Sequence, residues 1–374
     1  MNIAVNTRFL LPTKMEGFGW YTYETIKRIV VAHPEHTFYF FFDRKFDAKF
    51  LFAENVKPVI LNPPARHPIL FKIWFNYSVT KALKKYACEA FISPDGYVSL
   101  KTTVPQLAVI HDLNFEHNPE DLPKTALKYL KKNFALFAKK ATQICTVSHY
   151  SKQDIVSLYK INPDKIKVTY NGANRIFQVQ EAATQEKTKA KYANNNEYIL
   201  FVGALSPRKN LGRLIQTFSR LKKEQKISQK LLIVGESLWK DSKINLPKSL
   251  QGEIYFTGHL SQEELAKVMG SAFLFAFIPY FEGFGIPLLE AMQSGVPCLS
   301  GNLTSLPEVG GEAVQYCNPL DEEDIYIKLF ELIENEGLRK SLREKGLKQA
   351  EAFSWDKTAR DLWEGFEKMM EISS

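Results

Sequence analysis

The sequence predicts an α/β protein with two doubly wound parallel sheets. Short runs of β-branched and aromatic residues alternate with helical patterns along all 374 residues, and strands separated by helices indicate βαβ units with parallel pairing. A polar stretch at residues 179–196 interrupts this alternation, after which the pattern starts again. Domains usually have about 100–200 residues, so the length also predicts two of them. Because open α/β sheets bind ligands beyond the carboxyl ends of their strands, we expect the two Rossmann-like domains to face a ligand-binding cleft.

The first domain is expected at residues 1–178. Its strands are predicted at residues 3–5, 37–42, 58–61, 90–93, 106–110, 143–147 and 167–170. Its helices are predicted from apolar periodicity at residues 20–31, 70–86, 124–140 and 152–159.

The linker is expected at residues 179–196, which are rich in Gln, Lys, Ala and Asn and would form a loop or an exposed helix. The second domain is expected at residues 197–354. Its strands are predicted at residues 198–202, 231–234, 254–257, 273–278, 297–300 and 313–316. Helices are predicted at residues 211–223, 262–269, 287–293, 322–334, 338–353 and 355–370.

Composition and charge narrow the class of protein. The chain is 45% hydrophobic and 24% charged, which is typical of a globular protein. Its net charge of +8 favours anionic partners. The basic residues are dispersed and no nucleic-acid-binding motif is present, so we expect no nucleic-acid partner. The N-terminus lacks signal-peptide features and the apolar runs are too short to cross a membrane, so we expect a cytoplasmic protein whose four cysteines are reduced and buried.

The strongest ligand-binding pattern runs from Glu282 to Glu290. Gly283 and Gly285 allow the backbone to approach a ligand closely. The N–H groups of residues 284–286 and the dipole of the following helix would favour phosphate or sugar oxygens. As isolated residues, Glu282 and Glu290 would be a loop charge and a solvated helix residue. Within a complete strand–loop–helix unit, we predict instead that they accept hydrogen bonds from separate hydroxyl groups.

A second segment, Gly203-Ala-Leu-Ser-Pro-Arg-Lys-Asn210, directly follows a predicted strand. Arg208 can bind a phosphate bidentately, and Lys209 adds a point charge. Surface cations at the start of a helix are disfavoured by the helix dipole, so we predict that this pair neutralises a departing diphosphate. Asn210 is expected to cap the following helix.

Together these segments resemble the retaining GT-B glycosyltransferases of family 4, the mannosyltransferase-like group. The second half of the chain carries most of the resemblance, including Gly258-His-Leu260 and Thr304-Ser-Leu-Pro-Glu-Val309. The first half adds weaker matches: Gly17-Phe-Gly19, Val109-Ile-His-Asp-Leu113, Thr146-Val-Ser148 and Tyr170-Asn-Gly172. The sequence departs from the family at Pro279-Tyr280, where Pro-Ser is common.

The resemblance implies a GT-B fold, a nucleotide-diphosphate sugar as donor and no separate cofactor. Arg208 and Lys209 would stabilise the leaving diphosphate, Glu282 would contact the transferred sugar, and Glu290 would hold the ribose. Further donor contacts are implied for Gly203, His259, Leu260, Gly283, Phe284, Gly285 and Ile286. Gly17 and Gly19 would form a flexible loop that touches donor or acceptor, and the last helix, residues 355–374, would pack on the first domain.

His111 is the candidate catalytic residue of the first domain. It follows the predicted strand at residues 106–110, which places it at the carboxyl end of the sheet. A lone histidine is more often structural, but from this position we predict that the neutral imidazole binds a sugar hydroxyl or the reacting region. Asp112 would either orient His111 or cap a turn.

The predicted reaction needs no metal. No Asp-x-Asp pair occurs in the chain, so the cations are expected to take the place of a divalent ion. Family chemistry implies retention of configuration, with attack from the face of the leaving group. The resemblance favours mannose as the sugar and a glycan or lipid-linked acceptor in surface polysaccharide assembly.

Two basic helical segments suit an acceptor held at a membrane. Residues 70–86 mix aromatic residues with lysines, and residues 124–140 carry six lysines beside apolar residues. Basic amphipathic helices bind anionic membranes, which would place the protein at the inner face of the cell membrane. The alternative is an inward apolar face with a solvated lysine face.

Two other functions fit a similar scaffold. One is a sugar-nucleotide epimerase, and the other is a non-catalytic protein that binds a nucleotide sugar. The first would give a different product, and the second would bind the donor without turnover.

Overall fold

The computed structural model describes residues 1–12, 15, 17–236 and 250–373. The chain divides into two compact units, Met1–Asn171 with Trp355–Ser374, and Gly172–Ser354. Each unit is built on a fully parallel sheet, so the predicted α/β class with two doubly wound sheets is confirmed.

The sheet of unit 1 has seven strands in the order β3-β2-β1-β4-β5-β6-β7. They are β1 (Asn2–Asn6), β2 (Thr37–Phe42), β3 (Val56–Ile60), β4 (Ala90–Ser93), β5 (Gln106–Ile110), β6 (Gln143–Thr146) and β7 (Ile166–Val168). The strand order reverses between β1 and β4, and ligands of such sheets bind at the carboxyl edge of this switch point. β4 and β5 are buried along their whole length, as expected for strands covered on both faces.

The helices of unit 1 begin with α1 (Gly17–Ala32), α2 (Pro68–Ile73), a π-helix (Trp74–Val79) and α3 (Thr80–Lys85). They continue with α4 (Asn114–His117), α5 (Lys124–Lys140) and α6 (His149–Tyr159). The predicted helix at residues 70–86 is therefore a series of three helical pieces. The inward side chains of these pieces, among them Trp74, Phe75 and Leu83, form a buried cluster.

The sheet of unit 2 has six strands in the order β10-β9-β8-β11-β12-β13. They are β8 (Tyr198–Val202), β9 (Lys230–Val234), β10 (Ile254–Gly258), β11 (Leu274–Phe277), β12 (Cys298–Gly301) and β13 (Gln315–Cys317). The switch point lies between β8 and β11. These two strands precede the two segments that the sequence singles out.

The helices of unit 2 are α7 (Ala182–Ala193), α8 (Leu211–Glu224), α9 (Gln262–Gly270), α10 (Ile286–Gln293), α11 (Leu306–Gly310), α12 (Glu322–Glu334) and α13 (Glu336–Ala350). Helix α7 occupies the segment expected as a linker. It is part of unit 2 because Thr188 and Ala193 are buried, and the division falls after Asn171 rather than after residue 178.

The last helix, α14 (Trp355–Ser373), belongs to unit 1, where its buried face packs on α1. Residue 374, the end of the segment expected to pack there, lies outside the described residues. The four cysteines, Cys88, Cys145, Cys298 and Cys317, are buried and free. Within the described ranges, no helix has both the length and the apolar character that a membrane crossing requires.

Candidate active site

Two loops of unit 2 meet at the switch point of its sheet. One follows β8 and contains Arg208 and Lys209, and the other follows β11 and contains Glu282. Because β8 and β11 are parallel neighbours, both loops leave the sheet at its carboxyl edge. The backbone N–H of Tyr280 donates to the carbonyl of Arg208 at 3.1 Å, which joins the loops directly.

Asn210 fixes the end of the first loop. Its φ of +62° is a left-handed conformation that asparagine tolerates better than most residues. Its Nδ2 donates to the carbonyl oxygens of Ile278 at 3.0 Å and Pro319 at 2.6 Å. Asn210 lies at the N-cap position of α8, as predicted, and its carbonyl accepts from Leu214 N–H at 3.3 Å, but its side chain makes no capping hydrogen bond. Its amide instead satisfies two buried carbonyl groups and ties together the loops after β8, β11 and β13.

Arg208 and Lys209 converge on Glu282. Lys209 Nζ lies 2.5 Å from Glu282 Oε1, and an Arg208 terminal nitrogen lies 3.3 Å from the same oxygen. The side chains of Lys209 and Glu282 are each 10% exposed, whereas that of Arg208 is 30% exposed. Lys209 Nζ also lies 4.9 Å from the centre of the Phe277 ring, a favourable cation–π distance.

Glu282 is ionised in this arrangement. Burial by itself would raise the pKa of Glu282, but attraction by Lys209 and Arg208 brings that pKa below its ordinary value. Two fixed cations therefore face one carboxylate. Cations held in a partly water-excluded site can attract and neutralise an anionic ligand.

A third loop, which follows β12, holds the backbone of Glu282. Glu282 N–H donates to Thr304 Oγ1 at 3.2 Å, and Ser305 Oγ donates to the Glu282 carbonyl at 3.0 Å. Thr304 itself has a φ of +60°, which is rare for a β-branched residue. Sequence analysis gave no role to Thr304 and Ser305. The Thr-Ser-Leu-Pro-Glu motif was the only signal, and a hydrogen bond across 22 residues cannot be deduced from it.

The glycine-containing turn leads directly into α10. Gly285 has a φ of +96°, and a Cβ there would lie 2.7 Å from Leu306 Cδ2, so only glycine fits without strain. The Phe284 ring is buried and packs edge-on against Phe353, with centroids 5.6 Å apart. Phe284 can thus offer only its backbone to a ligand. Gly283 is also buried, whereas Ile286, the first residue of α10, is half-buried.

Glu290 lies one turn into α10 and is only 8% exposed. The alternative of a solvated helix residue is therefore wrong. Burial raises the pKa of Glu290 to about 8, so the carboxyl group is mainly protonated at neutral pH. A neutral carboxyl can donate one hydrogen bond and accept others, which suits a ligand rich in hydroxyl groups.

A glycine lies at the carboxyl end of each of the neighbouring strands β8, β9 and β10. Gly203 N–H donates to the Val234 carbonyl, and Gly235 N–H donates to the Gly258 carbonyl, each at 3.0 Å. A Cβ on Gly235 would lie 1.9 Å from the Gly203 oxygen, so this approach requires glycine. His259, which is exposed, and Leu260, which is half-buried, continue from β10. They share the carboxyl edge with Lys209 but are two strands away from β8.

His111 lies at the carboxyl end of β5 in unit 1, as predicted. Its Nε2–H donates to the Pro94 carbonyl at 2.8 Å, which leaves Nδ1 as the acceptor. The rings of Phe18 and Tyr21 pack edge-on against the imidazole, with centroid distances of 4.8 and 4.7 Å. Burial lowers the pKa of His111 and favours the neutral form. Asp112 caps a turn by accepting from Asn114 N–H at 2.9 Å.

Gly17 and Gly19 are in the first turn of α1, not in a flexible loop. Gly19 is buried, and a Cβ there would lie 2.7 Å from the Phe9 carbonyl oxygen. The close approach of α1 to the loop after β1 therefore explains why position 19 requires glycine. Gly17 is exposed, and a Cβ there would meet nothing within 4 Å.

Sequence analysis missed a buried ion pair at the switch point of unit 1. Arg8 Nε lies 2.6 Å from Asp95 Oδ2, and both side chains are almost completely buried. The guanidinium carbon is 4.6–5.3 Å from the centres of four aromatic rings, those of Phe9, Phe71, Phe75 and Tyr97. A charged side chain after an apolar strand was the available signal, but its partner lies 87 residues away.

Comparison with known families gives two matches that follow one another along the chain. Residues 15–175 match the model of Glycosyltransferase Family 4. Residues 183–349 match the model of Glycosyl transferases group 1. The two matches correspond closely to the two units and leave out only the chain ends and a short junction.

Similar proteins are known from bacteria. The chain is 27% identical over 356 residues to O-antigen chain mannosyltransferase B of Escherichia coli, covering 91% of this chain and 93% of that protein. It is 30% identical over 242 residues to the serotype-specific mannosyltransferase WbdA of Escherichia coli, covering 63% of this chain but 30% of that protein. The crystal structure of Anabaena Alr3699/HepE in complex with UDP-glucose aligns with a TM-score of 0.74 at 15% identity, covering 98% and 100% of the two chains.

Proposed function

The chain belongs to the GT-B glycosyltransferases of family 4, mannosyltransferase-like group, and from that membership we propose that it transfers mannose from a nucleotide-diphosphate sugar to a growing glycan. Membership in a transferase family disfavours the epimerase and the non-catalytic binder. The proposed acceptor is a glycan or lipid-linked chain in surface polysaccharide assembly. Support for this step comes from a relative that covers nearly the whole chain and is named for O-antigen mannosyl transfer.

One observation carries the proposed chemistry: the convergence of Lys209 and Arg208 on Glu282 at the switch point of unit 2. Cleavage of a sugar–phosphate bond develops negative charge on the diphosphate. Cations fixed before the reaction stabilise this charge without reorganisation. We assign that role to Arg208 and Lys209.

Glu282 has two proposed roles. Its carboxylate holds both cations in place before the donor binds, and Thr304 and Ser305 hold its own backbone. With donor bound, the diphosphate shares the cations, and Glu282 accepts hydrogen bonds from hydroxyl groups of the transferred sugar. In this proposal Arg208 and Lys209 supply the positive charge that the leaving diphosphate needs, and the reaction proceeds without a metal ion.

The other site residues have supporting roles in this proposal. Glu290, protonated at neutral pH, bonds the ribose hydroxyls. The backbone N–H groups of residues 283–286 face the donor, and the edge that carries Gly203, His259 and Leu260 receives the nucleoside. In unit 1, Nδ1 of His111 accepts a hydrogen bond from a sugar hydroxyl, since Nε2–H is already engaged by Pro94.

We further propose that unit 1 binds an anionic membrane through α2 and the π-helix. Ile69, Ile73 and Tyr77 are 65%, 38% and 60% exposed and follow one another at intervals of four residues. The exposed lysines Lys72, Lys81, Lys84 and Lys85 flank them. This combination of apolar and basic side chains is typical of an interfacial helix. In α5, by contrast, Phe134 and Phe137 point inward and mainly lysines are exposed, so the proposed membrane surface does not include α5.

A donor screen tests the proposed function. The protein is incubated with a panel of UDP-, GDP- and ADP-sugars, and both thermal shift and release of nucleotide diphosphate are measured with glycan acceptors. We expect one nucleotide sugar to stabilise the protein and to be turned over, with a mannosyl donor preferred. Stabilisation by every nucleotide without acceptor-dependent turnover would contradict the proposal.

A further inference from the structure

A turn at the opposite edge of unit 1 brings two histidines and a glutamate together. The turn joins α1 to β2 and contains His33, Glu35 and His36. His33 Nδ1 lies 3.2 Å from Glu35 Oε1, and His36 Nε2 lies 3.4 Å from the same oxygen. One ligand atom from each of the three side chains lies within 4.8 Å of the others.

These separations fit a tetrahedral metal ion. Zinc is bound by histidine nitrogen and carboxylate oxygen at about 2.0–2.2 Å, and the edge of a tetrahedron with such bonds is about 3.3–3.6 Å. Both contacts to Glu35 Oε1 are close to this edge, and the separation of the two histidine nitrogens is within 4.8 Å. An ion bound by these three atoms would have one tetrahedral coordination position left, which a water molecule could occupy.

The surroundings hold the turn in this conformation. Asn55 Nδ2 donates to the carbonyl oxygens of Val30, His33 and His36 at 3.0–3.1 Å. The His33 ring stacks on the Trp363 indole of α14, with centroids 3.8 Å apart and planes 21° apart. The His36 ring also stacks on the Trp363 indole, with centroids 5.5 Å apart, and it is nearly parallel to the His33 ring. The two imidazole rings are therefore held in place before an ion arrives, with the exposed Glu35 carboxylate beside them.

We propose that His33, Glu35 and His36 form a binding site for Zn²⁺ or a similar transition-metal ion. The site precedes β2 at the amino edge of the sheet, whereas His111 lies at the carboxyl edge. Its role is therefore structural: the ion fixes the α1–β2 turn against α14. It takes no part in sugar transfer, so this inference is independent of the proposed function.

Titration of tag-free, chelator-treated protein with ZnCl₂, followed by calorimetry, tests the site. We expect one zinc ion per chain and a rise in melting temperature. His33→Ala combined with His36→Ala should abolish binding. Glu35→Gln should weaken it at least about tenfold, since even groups that only support a metal ligand change affinity by about 10–100-fold. His67→Ala, which removes a histidine from another part of unit 1, should bind as the wild type does.

A second measurement uses the fluorescence of Trp363, whose indole stacks on His33. NiCl₂ should quench part of the tryptophan fluorescence of the wild type, and Trp363→Phe should lose this quenched component. All variants of the turn should keep the glycosyltransferase activity of the wild type. The absence of saturable zinc binding by the wild type, or equal binding by the double histidine variant, would overturn the proposal.

Discussion

Lys209 carries a buried positive charge whose stability depends on its partner, Glu282. Its ammonium group is buried against Glu282, and a buried charge needs its partner because removal of one member leaves the other uncompensated. Lys209→Met should therefore lower the free energy of unfolding, by up to about 3–5 kcal/mol. The double variant Lys209→Met/Glu282→Gln should recover most of this loss. Thermal unfolding measures both, with the exposed Lys223→Met as control. A single variant as stable as the double one would contradict the ion-pair account.

Glu290 gives a prediction for pH dependence. Its pKa is raised from 4.5 to about 8 in the folded state. Between these values the unfolded chain loses a proton that the folded protein keeps. The contribution of Glu290 to stability is thus fully present below about pH 4.5, falls by about 1.4 kcal/mol per pH unit, and is lost once the pH exceeds about 8.

Glu290→Gln should remove this slope because glutamine stays neutral. The melting temperature of the variant minus that of the wild type should rise from pH 5 to pH 8 and then level off. Unfolding curves measured across this range, in the absence of donor, provide the comparison. A difference that is constant with pH would show that Glu290 is ionised in the folded protein.

At the scale of elements, the switch-point loops depend on Asn210. Its amide donates to two buried carbonyl groups, each of which costs about 1–3 kcal/mol when left without a donor. Asn210→Gly loses both hydrogen bonds but tolerates the φ of +62°. Asn210→Ala adds backbone strain of about 1–2 kcal/mol. The melting temperature should fall in the order wild type, glycine variant, alanine variant. An alanine variant as stable as the wild type would contradict this role.

The exposed face of α2 and the π-helix supports a second prediction at this scale. Ile69→Glu with Ile73→Glu should reduce sedimentation with vesicles that contain anionic lipid, because both apolar contact and charge attraction are weakened. The matched control replaces Lys128 and Lys132 on α5 by glutamine, which lowers the net charge by the same two units without altering the apolar face and should have a smaller effect. Equal loss in the two variants would indicate binding by general charge and not by this face.

Local patterns were sufficient to predict most elements, because parallel strands buried on both faces are short apolar runs with sharp ends. β2, β4, β5 and α12 have the predicted bounds. The family resemblance implied a flexible loop at Gly17 and Gly19, but these residues form the first turn of α1, where Gly19 lies close to the Phe9 carbonyl. Tertiary packing decided that case, and propensity alone could not reveal it.

The candidate site was only partly predictable. Glycines, cations and carboxylates after apolar strands pointed to Lys209, Glu282 and Glu290. The partners of Asn210 and the anchoring of Glu282 by Thr304 could not be predicted, since these bonds join loops far apart in sequence. The burial of Glu290, and hence its raised pKa, likewise depends on packing that no local pattern records.

At the scale of the whole molecule, two units of one architecture carry different chemistry at their switch points. Unit 2 places the cations Arg208 and Lys209 at its switch point, which suits an anionic leaving group. Unit 1 places a closed Arg8–Asp95 pair there among aromatic rings. This difference agrees with the proposal that unit 2 binds the donor diphosphate.

Steady-state turnover of the nucleotide-sugar donor, in buffer with excess EDTA, tests the central claim most directly. The wild type should keep its rate, since Arg208 and Lys209 supply the charge that a metal would otherwise provide. Lys209→Met/Glu282→Gln should stay folded but lose about 100–1,000-fold in kcat, as expected when a charge-stabilising donor is removed. A double variant that turns over like the wild type, or a wild type that needs Mg²⁺ or Mn²⁺ to recover activity, would contradict the account.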